Sequence, residues 1–572
     1  MNLLNRLESF LPDLFATLVR FPVPVLVAVA TAIYGQVVDV RIFDDTYLAI
    51  GTLAFLASGA VHLFAEGRGL GRGTGLLLAA LAALAAAAVG HFDEGLHLSW
   101  LMAIPALVLL TMVAPFLRRD AAQGALWLFN LRFGLAALLA LVVGIAFGAG
   151  LSAIVAALDF LFEIIVPSRA YDRIWQIAIS LVGPVYGLTL IPRQLDEVIN
   201  IEAQKGSLLE RGVSVLVNYV VVPVIIAYAL ILHAYAVKII VSGSLPKGQV
   251  ATMVSIFALA GTGAWLIAWP WRETGTRLLR LFMRHWFWLT IVPAILLAAA
   301  IWRRIADYGV TPDRYGIVLI AVWTVSLTAY LAFRRAKADM RAILGALALL
   351  LGVGALGPWG AHGVTVSSQV NKLMDLAAKA GVLSGGTISG PFKDLTPEQK
   401  SSGYSMVQAI MESGGARELA RLVPDADIKD KTDRWSLTEA YNTALGLSYS
   451  TPSDELVNLS ANQIYGATMS ANASLYGPFF NFRAAKPGEP AAVYESGTDI
   501  VIEVGGKPVR IATSSVLAQL KAGITPGSEQ KPVIVTVSPE ITLVFSEANG
   551  RLTGTPQISY GRFWVIAVPA TP

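Results

Sequence analysis

Apolar residues fill the chain in long runs from residue 21 to about residue 357 and then give way to a mixed sequence. A helix needs roughly 20 apolar residues to cross about 30 Å of hydrocarbon. By that measure the runs predict eleven spans, near 21–38, 46–65, 74–90, 98–117, 133–156, 174–191, 213–241, 249–270, 285–302, 315–333 and 342–357. The third and the last are short and rich in alanine and glycine. Residues 1–20 differ: Arg6, Glu8, Asp13 and Arg20 interrupt the apolar positions and no small-residue cleavage site comes after them. They predict an amphipathic helix lying on the membrane surface, not a secretory signal.

Past Pro358 the periodicities are those of a water-soluble fold. Val366, Val370, Leu373, Met374 and Ala377 recur at helical spacing up to Gly381, a residue type that stops helices. Thr396-Pro397-Glu398-Gln399 has the form of a capping box with proline at the first helical position, and Ser436-Leu437-Thr438-Glu439 predicts a second box. From about residue 455 the pattern turns to alternation. Asp499–Val504, Gly505-Gly506 and Lys507–Ile511 predict a hairpin on a glycine turn, Ile541–Phe545 followed by Asn549-Gly550 predicts another, and a helix is expected near 514–521. The fold class is therefore an α-helical polytopic membrane protein with a C-terminal extramembrane α+β region. Its parts are the surface helix 1–20, the multi-span domain 21–357, a helical subdomain 358–450 and a β-rich subdomain 451–572.

Charge gives the membrane part a direction. With the N-terminus in the cytoplasm, 18 of its basic residues fall in inner segments and eight in outer ones, the asymmetry that the positive-inside rule describes. An odd number of spans then puts residues 358–572 outside. Trp269, Trp271, Trp286 and Trp288 bracket the basic stretch 272–284 as an interfacial belt would, and Trp100, Trp175, Trp302 and Trp359 fall at outer ends. Only 14% of residues are charged, against roughly 25% in soluble domains. Lys plus Arg exceeds Asp plus Glu by 43 to 39, too little for a nucleic-acid-binding surface. The chain has no cysteine, which removes disulfides, thiolate metal sites and thiol nucleophiles.

Four runs carry a resemblance: Asn218-Tyr219-Val220-Val221-Val222-Pro223, the segment Tyr228–Lys238, Leu245-Pro246-Lys247-Gly248, and Tyr308-Gly309-Val310-Thr311-Pro312-Asp313-Arg314-Tyr315. In order and spacing they resemble the bacterial membrane family DUF4153, and the helix pair around 366–414 is similar to the helices after the last span in that family. The similarity covers residues 10 to about 450. It implies a multi-spanning architecture and a bacterial envelope setting, and it implies no activity, cofactor or catalytic residue.

Charge at the bilayer centre is expensive and marks function. Here no Asp, Glu, Lys, Arg or His falls in the central third of any predicted span, which argues against a proton-driven carrier. Lys238 shares helical spacing with Tyr228 and Tyr235 but sits about 16 Å from mid-span, within snorkelling reach. Asp159 and Glu163 fall past the end of their span, at the outer surface, and His62 sits near an inner end beside Glu66 and Arg68. At mid-depth Gly183-Pro184 and Gly261-Thr262-Gly263 mark either interrupted helices that expose backbone to a substrate or, preferred here, sites of close packing. His91, Asp93, Glu94 and His97 gather in one outer loop without a standard ligand spacing. Glycines from Gly67 to Gly75 alternate with Arg68 and Arg72 in a flexible basic turn. The cluster Arg272–Arg284 has the aromatic interleaving that suits anionic lipid headgroups. No catalytic, cofactor or metal site is expected.

These features favour a non-catalytic inner-membrane protein of the cell envelope. Its partners are the lipid bilayer and an envelope protein, lipid or glycan bound by a periplasmic C-terminal domain. A transporter or lipid-handling protein working through Gly183-Pro184 and Gly261–Gly263 ranks second. An envelope-modifying enzyme with Asp159, Glu163, Asp172 and the 91–97 loop at its outer face ranks third.

Overall fold

Each of the eleven apolar runs is helical in the computed structural model, which describes residues 3–37, 46–92, 96–118, 122–162, 166–195, 197, 208–242, 250–334, 338–392, 395–424, 426–428, 431, 433–447, 456–460, 474–480, 491–504, 507–524, 532–551 and 556–568. The membrane part consists of α1 (Leu3–Arg20), α2 (Pro22–Val37), α3 (Thr46–Gly67), α4 (Arg72–Phe92), α5 (Leu96–Val113), α6 (Gln123–Phe162), α7 (Ser168–Ile177), α8 (Gly183–Thr189), α9 (Leu208–Leu216), α10 (Val222–Ser242), α11 (Val250–Ala268), α12 (Arg277–Tyr308), α13 (Pro312–Arg334) and α14 (Met340–Ala355). Among the described residues seven helices are long and apolar enough to cross a membrane, and an eighth is added if the pair Pro12–Arg20 and Pro22–Val37, bent by 100°, is one span. That bend sets α1 across the direction of α2. Trp100–Phe116 and α14 are shorter apolar helices, and the run 174–191 is shared between α7 and α8. The chain is a multi-pass membrane protein.

Two helices change pitch without breaking. A π-helical turn, Ala178–Val182, joins α7 to α8, and another, Val217–Val221, joins α9 to α10. Each ends two residues before a proline, Pro184 or Pro223. Proline offers no N–H and its ring crowds the carbonyl four residues back, here Ser180 and Tyr219; the wider π turn relieves that crowding while the helix continues.

Hydrogen bonds tie the connections of one end of the bundle to each other. Arg20 pairs with Glu66 at 2.9 Å and donates to the Ile191 and Pro192 carbonyls. Arg72 donates to the Val19 carbonyl, and Arg132 pairs with Glu197 at 2.5 Å. Asp339 is the centre of a tighter knot. It accepts from Gln123 Nε2 at 2.7 Å and pairs with Arg341 at 2.6 Å, while Gln123 Oε1 accepts from Met340 N–H and Arg341 donates to the Phe116 and Arg118 carbonyls. Burial opposes the Asp339 charge, but the hydrogen bonds from Arg341 and Gln123 outweigh it and hold the carboxyl below the usual carboxylate range.

A depressed pKa stabilises the fold fully above the unfolded value, about 3.9, and that contribution is lost as pH falls through the native value. Asp339→Ala is expected to cost about 1–3 kcal/mol by removing the acceptor of Gln123 Nε2 and the ion pair of Arg341. Thermal unfolding in detergent should show the loss at neutral pH and a difference that shrinks as pH falls below about 3.9 and through the native value. Equal melting of the two proteins at neutral pH would refute it.

Glycines set the packing of α6 against α7 and α8. A Cβ on Gly183 would lie 3.1 Å from the Ala140 carbonyl oxygen, and one on Gly148 would lie 2.8 Å from the Trp175 ring. The main apolar core continues from Leu126 and Phe129 of α6 to Phe257, Trp286 and Trp323.

The extramembrane part has two cores. In the first, α15 (Ala361–Lys379), α16 (Pro397–Glu412), α17 (Ala416–Leu422) and α18 (Arg434–Ala444), with the short ladder of β1 (Leu383–Ser384) and β2 (Thr387–Ile388), enclose Leu373, Val407, Ile410, Leu419 and Tyr441. The Thr396–Gln399 capping box forms as expected, and Gly381, at φ 69°, follows the end of α15. The second box does not form. Asp433 caps α18 three residues earlier, accepting from Ser436 N–H at 2.9 Å and from its hydroxyl, because a carboxylate is an acceptor at least as good as a hydroxyl.

The second core holds β3 (Leu456–Ser460), β4 (Ser474–Phe480), β5 (Ala491–Ser496), β6 (Asp499–Val504), β7 (Lys507–Ala512), α19 (Thr513–Gly523), β8 (Val533–Ser538), β9 (Ile541–Arg551) and β10 (Gln557–Ala567). Strands β5, β6 and β7 form one antiparallel sheet; β3, β9, β10 and β4 form another, with β8 also pairing β9. The expected β6–β7 hairpin is present, its Gly505-Gly506 turn lying outside the described residues. Asn549 and Gly550 are not a turn: they pair with Tyr560 and Ile558 inside the β9–β10 ladder. Gly550 tolerates no Cβ, which would meet Leu517 at 2.5 Å, so it marks close approach of α19 and not a reversal.

Candidate functional site

The Tyr308–Tyr315 run lies where the membrane helices meet the extramembrane helices. α12 stops at Tyr308 because Gly309 takes φ 74°, and α13 starts at Pro312, whose missing N–H costs nothing at a first turn. Gly309 N–H still bonds to the Ile305 carbonyl and the Thr311 carbonyl accepts from Tyr315 N–H, which leaves the Tyr308 carbonyl and both backbone groups of Val310 to find partners elsewhere. Side chains of α15 satisfy them. Ser368 Oγ accepts from Val310 N–H at 2.8 Å, and Gln369 Nε2 donates to the Val310 carbonyl at 2.7 Å and to that of Tyr308 at 3.2 Å. Lys372 Nζ donates to the Ala306 carbonyl at 2.8 Å. From the α13 side Arg314 donates to the Gly309 carbonyl at 2.9 Å and lies over the Tyr308 ring, and the Tyr315 hydroxyl donates to the Trp359 carbonyl at 2.8 Å. Gln369 is only 2% exposed, so its amide is committed to this loop.

The approach to α15 is equally close. Gly357, at φ 74°, turns the chain out of α14, and a Cβ on Gly363 would lie 2.3 Å from the Pro358 carbonyl oxygen. Buried polar atoms without a hydrogen-bond partner among the described residues lie in the helices beyond: His362 Nε2, Thr365 Oγ1, Ser413 Oγ and both amide atoms of Asn442. His362 Nδ1 meets the Ser413 carbonyl at 3.2 Å, which draws the first three of these residues together. Buried polar groups are nearly always paired, so this helical core has unusual hydrogen-bonding capacity to offer.

The candidate residues singled out from sequence are not among those that build this junction. Gly183 packs against α6, and Pro184 comes after the first π turn. Helix α11 runs unbroken through Gly261 and Gly263, so of the two readings the interrupted helix is absent and close packing holds at Gly261. Gly261 is instead the bed of a tryptophan: a Cβ there would lie 1.9 Å from Trp286 Cη2, while one on Gly263 would meet nothing. Tyr228 contacts Phe257, which contacts Trp286, so Tyr228 and Gly261 belong to one aromatic stack. Tyr235 packs on the same core, and Lys238 is exposed. Asp159 is exposed near the end of α6. Glu163, Asp93, Glu94 and the 245–248 run lie outside the described residues. Among the described residues no group of three His, Asp or Glu is arranged to hold a metal ion.

The functional residues that sequence reasoning misses are Ser368, Gln369 and Lys372. They occupy the polar side of a helix whose apolar side the periodicity marks, and a polar side reads as solvated. The available signal is the Tyr308–Tyr315 run, whose glycine and proline leave unpaired backbone groups that need a donor and acceptor from elsewhere.

A family model described as "Domain of unknown function (DUF4153)" matches residues 23–374. The match ends within α15, so it takes in both sides of the junction. The uncharacterized protein PM1469 of Pasteurella multocida (strain Pm70) is 32% identical over 120 residues, which cover 20% of each chain. No solved structure matches.

Proposed function

The chain belongs to the DUF4153 family, and from that premise we propose that it is a non-catalytic inner-membrane protein of the bacterial cell envelope, with a cytoplasmic N-terminus and a periplasmic C-terminal region that binds an envelope protein, lipid or glycan. In this reading binding alters the membrane helices through the α15 junction. The observation that carries it is the set of hydrogen bonds from Ser368, Gln369 and Lys372 to the α12–α13 loop, a physical connection from the extramembrane region to two long membrane helices. The unpaired buried groups around His362, Thr365, Ser413 and Asn442 supply capacity for a ligand, and the excess of basic residues in the inner segments supports the orientation.

Paired C-terminal fusions test the orientation in cells. An alkaline phosphatase fusion should be active and a green fluorescent protein fusion dark; the reverse pattern would end the periplasmic reading. The exposed Trp435, at the start of α18, is a position for a photo-crosslinking residue in the full-length chain. A discrete adduct with an envelope component is expected, and its absence from both Trp435 and a second exposed position on α16 counts against partner binding.

A transporter or lipid-handling role is the second reading, favoured by the π turns before Pro184 and Pro223, since such turns recur at functional sites. Alanine at Gly183 and Pro184 should then reproduce the phenotype of a deletion without lowering the amount of protein in the membrane.

A further inference from the structure

The arginine-rich end of the bundle contains a cavity of about 1030 Å³ between the last turns of α11, the first turns of α12 and residues Leu331 and Ala338. Arg277, Arg280 and Arg284 enter it from α12 at spacings of three and four, which places them on one side of the helix, and Arg272 enters from the preceding turn. Among the described residues a single acid lines the same cavity, Glu273, and it faces Arg272 at 3.6 Å while remaining 80% exposed. Arg272 also lies over the Trp269 ring, and Arg280 donates to the Gly275 carbonyl at 2.6 Å. Arg277 and Arg284 have no hydrogen bond or ion pair among the described residues.

The position of these arginines is fixed from below by the first residue of the Asn218–Pro223 run. Asn218, buried in the second π turn, accepts from Thr276 N–H at 2.9 Å and donates to the Ser214 carbonyl at 2.8 Å. Thr276 in turn caps α12 by accepting from Leu279 N–H. The positive end of the α12 dipole therefore lies at the same place as the guanidinium groups.

Much of the remaining lining is aromatic. It comprises Trp265, Trp269, Trp286, Phe287 and Trp288, and the indole N–H of Trp286, a residue 1% exposed, has no acceptor among the described residues. From Trp288 an exposed apolar ridge continues along α12 through Ile295 to Trp302 at steps of seven residues. Guanidinium forks match phosphate oxygens. A free anion would use the arginines alone and leave the aromatic lining and the ridge unexplained, whereas a lipid uses both. We propose that this cavity holds the phosphate of an anionic phospholipid headgroup among Arg277, Arg280 and Arg284, with the acyl chains lying along the Trp288–Ile295 ridge.

Tryptophan quenching by brominated lipid tests this on the full-length chain in phosphatidylcholine nanodiscs. Brominated phosphatidylglycerol should quench at a mole fraction on the order of tenfold lower than brominated phosphatidylcholine, given the attraction of each basic residue to an anionic surface. The triple variant Arg277→Gln, Arg280→Gln, Arg284→Gln should bring the two lipids to equal quenching, and Arg303→Gln with Arg304→Gln, at the far end of the same helix, should leave the preference intact. Equal quenching in the unaltered protein, or an unchanged preference in the triple variant, overturns the proposal. Displacement of the brominated lipid's effect by millimolar inorganic phosphate would assign the site to a soluble anion and overturn it as well. If the triple variant fails to fold, raising salt on the unaltered protein decides the matter: the preference should collapse, and a salt-independent preference refutes a phosphate contact.

Discussion

Replacing Gly261 by alanine is expected to destabilise the membrane bundle by about 2–3 kcal/mol, a large effect for one methyl group in a helix where alanine is the better helix former. The cause is steric. The new Cβ would lie 1.9 Å from Trp286 Cη2 and 2.5 Å from Cζ2, so the Trp286 ring, 1% exposed and in contact with Phe257 and Phe282, would have to shift out of its packing. Gly263→Ala, two residues on, should be neutral or stabilising by up to about 1 kcal/mol, because nothing lies near its Cβ and helix propensity alone acts. Combining Gly261→Ala with Trp286→Phe should recover most of the loss, since a smaller ring vacates the contested volume, and the double-mutant cycle should show strong coupling. Thermal unfolding of the four variants in detergent measures this. Equal effects of alanine at 261 and 263 would mean that the tryptophan does not lie on Gly261.

Gln369→Ala is expected to release α15 from the membrane helices. It removes both hydrogen bonds of a buried amide and leaves the Val310 carbonyl without its donor, at a cost of about 2–3 kcal/mol. Gly309→Val should cost at least as much, because a β-branched residue at φ 74° is strained and its Cβ would lie 3.0 Å from both Gln369 Nε2 and Ser368 Oγ. Lys372→Met is the control: its ammonium is exposed, and the change should stay below about 1 kcal/mol. Hydrogen exchange separates the outcomes. Amides of α15 and of residues 309–311 should exchange faster in the first two variants while α6 and α11 keep their protection. Uniform acceleration across the bundle would show that the contact supports global stability and is no local junction.

Much of this architecture is legible in the sequence because hydrophobic runs and turn chemistry are local signals. All eleven apolar runs are helical, and the capping box at Thr396 and the β6–β7 hairpin each arise from a few adjacent residues. The departures are tertiary. Gly261-Thr262-Gly263 reads as a site of close packing, but the sequence does not show that only the first glycine serves it, or that it makes room for a side chain 25 residues later in the chain. Asn549-Gly550 is a strong turn signal overridden by the length of the β9–β10 ladder and by Leu517 above it. Asp433 and Ser436 compete as caps, and the better acceptor starts the helix earlier. The π turns leave a trace, since each precedes a proline inside an apolar run, yet Pro105 and Pro293 lie in α-helices without one. The junction is half visible: the loop's need for partners is written at Gly309 and Pro312, and the identity of those partners is not.

Helix α6 has 40 residues, a length of about 60 Å, twice the thickness of the hydrocarbon it must cross. Its first turns are buried and held by Trp127, which donates to the Ile267 carbonyl, and by the Arg132–Glu197 pair. That end is anchored. From Arg132 to Asp159 the rise is about 40 Å, roughly 10 Å more than the hydrocarbon thickness, an excess taken up by tilt and by ends lying in the headgroup regions. The last residues, Asp159–Phe162, are exposed and mostly apolar. The helix is thus a gauge read from one fixed end: a thicker or thinner bilayer leaves Arg132 where it is and changes how deeply Phe160, Leu161 and Phe162 sit in the far leaflet.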